Sequence, residues 1–338
     1  MKVSRWIALA GVAALAAVVA TSAALGGSSS SKARQSSFKA ALVSDVVGFN
    51  DAGFNKLQLK GLNDAAKKLG LTAIPEVSHS SSDYAPNFNA AIRKGANIVV
   101  AAGYLLASTV KTYAQKFPNV KFAITDDTYK DAGGGKNVQG IVYATQQGGC
   151  LVGVLAAKMA QKLGGHAIGA VGGIKLPSVD QYIAGYKYCA AKAVPGTKTI
   201  VDYSNDFAAQ DKCQTVAQNE IGQGAKVIFP VAGGCGIGAM KAADAAKLWS
   251  IGVDVDQSAL AKNVLTSATK HTDTGVYDTV VAAAQGTFKG GTDRLFDLKN
   301  GGVGLGKIDP SVPKAWITLM NSYKVKMIAG TLKPPATL

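Results

Sequence analysis

Residues 41–55, ALVSDVVGFNDAGFN, read as an apolar strand running straight into a loop that holds Asp45, Asn50, Asp51, Phe54 and Asn55. Open α/β sheets bind their ligands at the carboxyl ends of strands, so this junction decides both the fold class and where to look for a site. Phe54 can stack on a planar ring while the carboxylates and amides bond polar edges, the usual division of labour in a small-molecule pocket. The competing reading is a helix N-terminus capped by Asn50 or Asp51, with Phe54 turned into the core.

Downstream of this junction, strands alternate with helices as in parallel sheets covered on both faces. A helix from about Gly53 to Leu69 has apolar residues at Leu57, Leu62, Ala65, Ala66 and Leu69, and Gly70 ends it as a C-cap. Strands follow at LTAIPEV, ANIVVAAG, VKFAITDD and VQGIVYAT, the last leading into a long helix from about Gly149 to Leu163. A second set repeats the theme: HAIGAVGGI, TKTIVDYS, KVIFPVAGG and SIGVDVD alternate with helices over 178–193, 208–222 and 238–247, and a helix over 313–329 precedes the ending GTLKPPATL. The expectation is two doubly wound lobes in tandem, with a cleft between the carboxyl ends of their sheets.

The chain opens with Lys2 and Arg5 before an apolar run over 6–20 and then small residues, the pattern of a secretory signal peptide over 1–26, with a flexible linker over 27–37. This predicts an exported protein, periplasmic or extracellular, and the lack of a cysteine before Cys150 argues against lipid attachment. The formal charge is +15, but the basic residues read as spread along the chain, five of the 36 preceding Ala40, so nucleic acid is not expected as a partner. About 300 further residues exceed what one core serves. Four cysteines in an exported chain allow two disulfides in three pairings. Cys189 and Cys213 fall in consecutive helices, which commonly lie side by side, so Cys189 with Cys213 and Cys150 with Cys235 is the favoured arrangement. No Cys-x-x-Cys pair accompanies them, and His79, His166 and His271 are scattered, so no metal site is expected.

The strand ends supply the candidate ligand-binding residues. Asp126 follows FAIT, Phe207 lies beyond VDYS, Gly233 follows FPVA, Asp254 lies in IGVDVD and Lys270 ends VLTSATK. Phe54 and Phe207, one from each lobe, can close on opposite faces of a flat ring. Asp126 and Asp254 can accept hydrogen bonds from ring nitrogens or hydroxyls, and Lys270 can donate to an oxygen.

These residues resemble a family, the basic membrane protein group of ABC-transporter substrate-binding proteins typified by purine nucleoside receptor A. SDVVGFNDAGFN looks like the family's Asp-x-x-Gly-x-Asn-Asp-x-x-Phe-Asn signature; DYAPNFNAAIRKGANIVVAAGYLLAS, KFAITDD, KVIFPVAGGCGIGAMKAA, SIGVDVDQ and VLTSATK follow in order from Lys39 onward. The resemblance implies a type I periplasmic-binding-protein fold, two doubly wound parallel-sheet lobes joined by three crossovers. The crossovers are expected near Tyr143, Asn263 and Gly290, giving a first lobe of 38–143 plus 263–290 and a second of 144–262 plus 291–338. It implies a monomer that binds a purine nucleoside, guanosine or inosine above others, and hands it to a membrane permease, with no cofactor and no catalysis. By the same resemblance Phe54 and Phe207 sandwich the purine and Asp126 meets the base edge. Asp45 and Asn55 border the ligand in the first lobe, and Gly233, Asp254 and Lys270 surround the ribose; Asn50, from the same loop as Asp51, is a further ligand-binding candidate. The alternatives are the same fold around a sugar or other polar ligand and, from another class, a nucleoside-processing enzyme, for which AGGCGIG superficially resembles a dinucleotide loop. Cys150, Cys235, Gln146 and Gln147 depart from the family pattern.

Overall fold

A computed structural model describes residues 37–338, so the expected signal peptide and nearly all of the expected linker lie outside the described residues. Two six-stranded sheets organise the chain. The first takes the order β11-β5-β4-β3-β1-β2 and the second β12-β10-β9-β8-β6-β7. In the first lobe, β1 (Lys39–Val43), β2 (Thr72–Glu76), β3 (Ile98–Ala101), β4 (Lys121–Thr125) and β5 (Val138–Tyr143) alternate with α1 (Phe54–Leu69), α2 (Tyr84–Arg93) and α3 (Ala107–Lys116). After α4 (Thr145–Lys162), the second lobe repeats the pattern with β6 (Ala167–Gly172), α5 (Pro177–Ala193), β7 (Lys198–Tyr203), α6 (Gln210–Gly222), β8 (Ala225–Val231), α7 (Gly236–Ala245), β9 (Trp249–Asp254) and β10 (Val264–Lys270). The chain then crosses back through α8 (Thr272–Ala284) to β11 (Thr292–Phe296), and crosses once more to β12 (Val303–Leu305) and α9 (Lys314–Ile328).

The two sheet orders match strand for strand, β1 with β6, β4 with β9 and β5 with β10. Successive residues of β1 and β3 face opposite cores: Ala40, Leu42, Ile98 and Val100 point to one, and Ala41, Val43, Val99 and Ala101 to the other. Strands buried on both sides read as continuous apolar runs, which is why KAALV and NIVVA were legible as strands.

The topology moves two of the expected crossovers. Val264–Lys270 pairs in parallel with β9, Thr269 opposite Asp254, and so belongs to the second lobe. The second crossover therefore falls after Lys270 and not near Asn263. Thr292–Phe296 pairs with β5, Phe296 opposite Tyr143, and so belongs to the first lobe. The third crossover accordingly follows Phe296 and not Gly290. β10 is the fifth parallel strand of the second sheet in chain order, as β5 is of the first.

The disulfide pairing also differs from expectation. The bridges are Cys150–Cys189 and Cys213–Cys235. Because β7 lies outside β6, the β6–α5–β7 step runs outward and the β7–α6–β8 step returns, and right-handed crossovers then place α5 and α6 on opposite faces of the sheet. Cys189 and Cys213 are thus separated by the sheet between them. Cys189 instead meets α4, drawn close because a Cβ at Gly149, Gly153 or Gly185 would strike the backbone of the facing helix. Each bridge closes a loop of a few tens of residues, worth about 3–4 kcal/mol in the chain-entropy account.

Glu220 of α6 is fully buried against the sheet, its carboxylate seated where Gly169 leaves room. Burial pushes its pKa up to about 9, with Asp202 adding to the effect. An unfolded glutamate releases its proton near the ordinary 4.5, so folding stability falls as pH climbs from there to about 9 and is unaffected by this group below that window. Glu220→Gln should therefore melt close to wild type at pH 4 and at least about 2 °C above it at alkaline pH, read by thermal unfolding across pH. Parallel melting curves at every pH would refute a neutral buried Glu220.

Candidate ligand-binding site

The loop after β1 is organised by its own polar side chains. The Asp51 carboxylate accepts the N–H groups of Gly53 (3.0 Å), Asn55 (2.6 Å) and Lys56 (3.1 Å), capping α1 and placing negative charge at its positive end. Asn55 donates both amide N–H groups, to Asp45 Oδ1 at 2.8 Å and to Asp51 Oδ2 at 3.0 Å, and its Oδ1 accepts the Asp45 backbone N–H. The loop divides the two expectations between residues: Asp51 caps α1, while Phe54 is half-buried at the edge of a cavity. Burial pushes the Asp45 carboxyl up to about 7, and the charge of Asp51 raises it further against the pull of its hydrogen bonds to Val47 and Asn55.

That cavity lies between the carboxyl ends of the two sheets. Asp45, Phe54, Asn55 and Asp126 line it from the first lobe, and Phe207, Gly233, Asp254 and Lys270 from the second. Asn50 is the exception. It ends a single 3₁₀ turn over Gly48–Asn50, is exposed, and lies outside the lining. Asn55 borders the cavity, but its amide N–H groups are committed to the loop.

At the centre lies a charge cluster joining the lobes. Lys270 Nζ sits 2.7 Å from Asp126 Oδ2 and 3.3 Å from Asp254 Oδ1, with all three side chains under 10% exposed. The same ammonium lies 4.4 Å from the centroid of the Phe54 ring, a cation–π contact. Burial alone would lower the Lys270 pKa, but Asp126 and Asp254 together hold it above the ordinary lysine value. Burial raises that of Asp254 despite the attraction of Lys270. Both aspartates occupy left-handed backbone, φ 63° and 65°, at the matching ends of β4 and β9. Such conformations cost of order 1 kcal/mol each in a non-glycine residue and cluster at functional sites. Asp126 was expected at a base edge, apart from the ribose residues; the structure instead puts it in one cluster with Lys270 and Asp254.

Each phenylalanine is seated against a glycine, Phe54 on Gly103 and Phe207 on Gly173. Gly233 was expected to make room for a sugar. Its φ of +54° and the Phe207 carbonyl, 3.3 Å from where a Cβ would be, already favour glycine there. The Cys213–Cys235 bridge sits directly behind this wall. Both sulfurs contact Ser204 Oγ, at 3.3 and 3.5 Å, and the Cys235 N–H donates to the Phe207 carbonyl at 2.9 Å.

Tyr104, Leu176, Ser178 and Tyr182 also line the cavity and were missed in the sequence. Tyr104 follows β3 and Leu176 and Ser178 follow β6, so the strand-end rule could have found them. Tyr182 lies a turn into α5 and carries no local signal.

Two doubly wound lobes closing on a ligand-sized cleft define a solute-binding protein. The chain belongs to the family of PnrA-like ABC transporter substrate-binding proteins, whose family model matches residues 38–333. It is 33% identical over 324 residues to the ABC transporter nucleoside-binding protein BmpA of Lactococcus lactis, covering 89% of both chains. It is 32% identical to a CD4+ T-cell-stimulating antigen of Listeria monocytogenes, covering 88% of both. A relative in Pyrococcus abyssi, 32% identical, is called an uncharacterized lipoprotein; the match covers 84% of this chain and 73% of that one. In fold, it superposes on an ABC transporter solute-binding protein of Aeropyrum pernix with a TM-score of 0.79 at 24% identity, covering 88% of this chain and 94% of that one.

If the second bridge positions the Phe207 wall, Cys213→Ala with Cys235→Ala should speed amide exchange over residues 204–209 and 232–236 by about tenfold or more. Cys150→Ala with Cys189→Ala should leave exchange there unchanged. Equal effects of the two pairs, read by exchange mass spectrometry, would reduce both bridges to general stabilisers.

Proposed function

We propose that the protein captures a purine nucleoside outside the cytoplasm, closes its lobes on it, and presents the closed form to a membrane permease. The observation that carries this reading is the pairing, in one cavity, of a half-buried phenylalanine from each lobe with a buried Asp126–Lys270–Asp254 cluster. Rings suit a flat base and the cluster suits vicinal hydroxyls, because its carboxylates accept from O–H groups while Lys270 donates. Asp45, a first-lobe carboxylate that neither caps α1 nor joins the Lys270 cluster, is left to meet the base edge, where an acidic partner suits the ring N–H of guanine or hypoxanthine better than the acceptor nitrogen of adenine. The name of the Lactococcus relative supports the same ligand class.

Charge sharpens the choice. Asp45, Asp51, Asp126 and Asp254 face or border the cavity, and its one lysine is already shared between two of them. A phosphate would meet uncompensated negative charge, so nucleosides are selected over nucleotides. Ligand binding biases the lobes toward closure by as much as its affinity differs between the open and closed forms. That role needs no bond-breaking step, and the protein is read as a binding protein and not an enzyme.

Calorimetry against a panel of nucleosides, nucleotides and sugars tests this. Inosine and guanosine should bind in the micromolar range or tighter, GMP at least about 100-fold more weakly, and ribose alone weakly, as expected when base stacking contributes about 1–3 kcal/mol. A panel in which only sugars bind would transfer the site to the polyol reading, and release of free base from inosine would make the protein an enzyme. Phe54→Ala and Phe207→Ala should each weaken nucleoside binding about 10- to 100-fold while leaving the melting temperature of the free protein within a few degrees. Unchanged affinity in either variant would remove that ring from the sandwich.

A further inference from the structure

The positive charge of the described chain is not evenly spread. Residues 145–201 and 310–338, which contain α4, α5 and α9, carry ten lysines and one aspartate. The other described residues, 37–144 and 202–309, carry 22 basic and 20 acidic side chains and are close to neutral. Nearly all the excess therefore belongs to one side of the second lobe. The single aspartate, Asp180, is engaged by Lys175, and none of the other nine lysines forms an ion pair among the described residues.

The three helices make one continuous surface. Lys162 at the end of α4 lies over the Trp316 ring of α9, 5.9 Å from its centroid, and Lys192 at the end of α5 lies 5.1 Å from that of Tyr188. Burial raises the pKa of Tyr323 on α9, and Lys192 of α5 stands near enough to oppose that rise. Beside Lys324 and Lys326, Val325 is 66% exposed and Ile328 42%, and Leu163 adds a further exposed apolar side chain next to Lys162. Helices that follow strands in such folds run back from the cleft, so Lys162 and Lys192 sit at the end of the lobe remote from the ligand.

We propose that this face docks reversibly on an anionic lipid bilayer and so keeps the protein at the membrane surface. Three features favour a lipid plane over a protein or a nucleic acid. All ten cations are lysines, point charges suited to diffuse attraction, with no arginine fork to read carboxylates or phosphates in pairs. Exposed aliphatic and half-exposed Trp and Tyr side chains alternate with them, the mixture found where proteins rest in the headgroup region. The surface is the outer side of packed helices and not a groove. Each lysine near an anionic surface contributes on the order of 1 kcal/mol, so even a few suffice for measurable association.

The test is co-sedimentation of the full chain with vesicles of phosphatidylcholine alone or with about 30% phosphatidylglycerol, at low salt. Wild type should partition about tenfold or more in favour of the anionic vesicles and be released as salt approaches about 0.5 M. K187Q/K192Q/K324Q/K326Q should lose that preference, and V325S/I328S should weaken it, whereas K56Q/K67Q/K68Q/K116Q on the first lobe should keep it. The N-terminal segment is common to all these proteins and cannot produce the differences. The proposal fails if wild type shows no preference for anionic vesicles, if both lysine sets act alike, or if polyglutamate or DNA captures the chain while the vesicles do not.

Discussion

A lysine held between two aspartates at the meeting of the lobes is the constraint around which the rest of the molecule is arranged. Removing three charges from water is costly, and a buried ion pair recovers that cost only with good geometry and further hydrogen bonds. Lys270 and Asp254 come from the second sheet and Asp126 from the first, so the shorter of the two ion pairs exists only when the lobes are together. Opening the cleft separates the pair and rehydrates it. A ligand whose hydroxyls insert among these groups replaces one set of polar partners by another without leaving a charge unsatisfied, and this couples binding to closure.

The matched ends of β4 and β9 show how the cluster arose structurally. Equivalent strands of two like sheets deliver Asp126 and Asp254 in the same left-handed backbone, facing each other across the cleft. At the next pair of strand ends, β5 and β10, the likeness is broken. Tyr143 stands where the second sheet has Lys270, and the two lie 5.9 Å apart, ammonium to ring centroid. Near-symmetry supplies two acceptors, and its local failure supplies the single cation that both can share. An asymmetric ligand is therefore received by a nearly symmetric frame.

Much of this was legible in the chain because the signals were local. Apolar runs such as NIVVA announce strands buried on both faces, and the polar residues just beyond them mark the cleft, which is how Asp45, Phe54, Asp126, Asp254 and Lys270 could be picked out. What was not legible depended on relations between distant segments. The lobe to which Val264–Lys270 belongs is decided by its partner strand and not by its composition. Thr292–Phe296 is a mostly exposed edge strand with little apolar pattern to betray it. The disulfide pairing turned on which sheet face each helix occupies, and adjacency along the chain pointed the wrong way. Asn50 has the right chemistry in the right loop, yet the turn that seats its neighbours directs it outward.

One cystine ties α4 to α5 and the other ties α6 to the glycine turn before α7, while the first lobe has no covalent cross-link among the described residues. The two halves of this clamp therefore differ in stiffness. One jaw has its wall, with Phe207 and the glycine turn, pinned by a covalent strut; the other, carrying the self-bonded Asp45–Asp51–Asn55 loop, keeps its contour by hydrogen bonds and packing, bonds that an arriving guest can trade for its own.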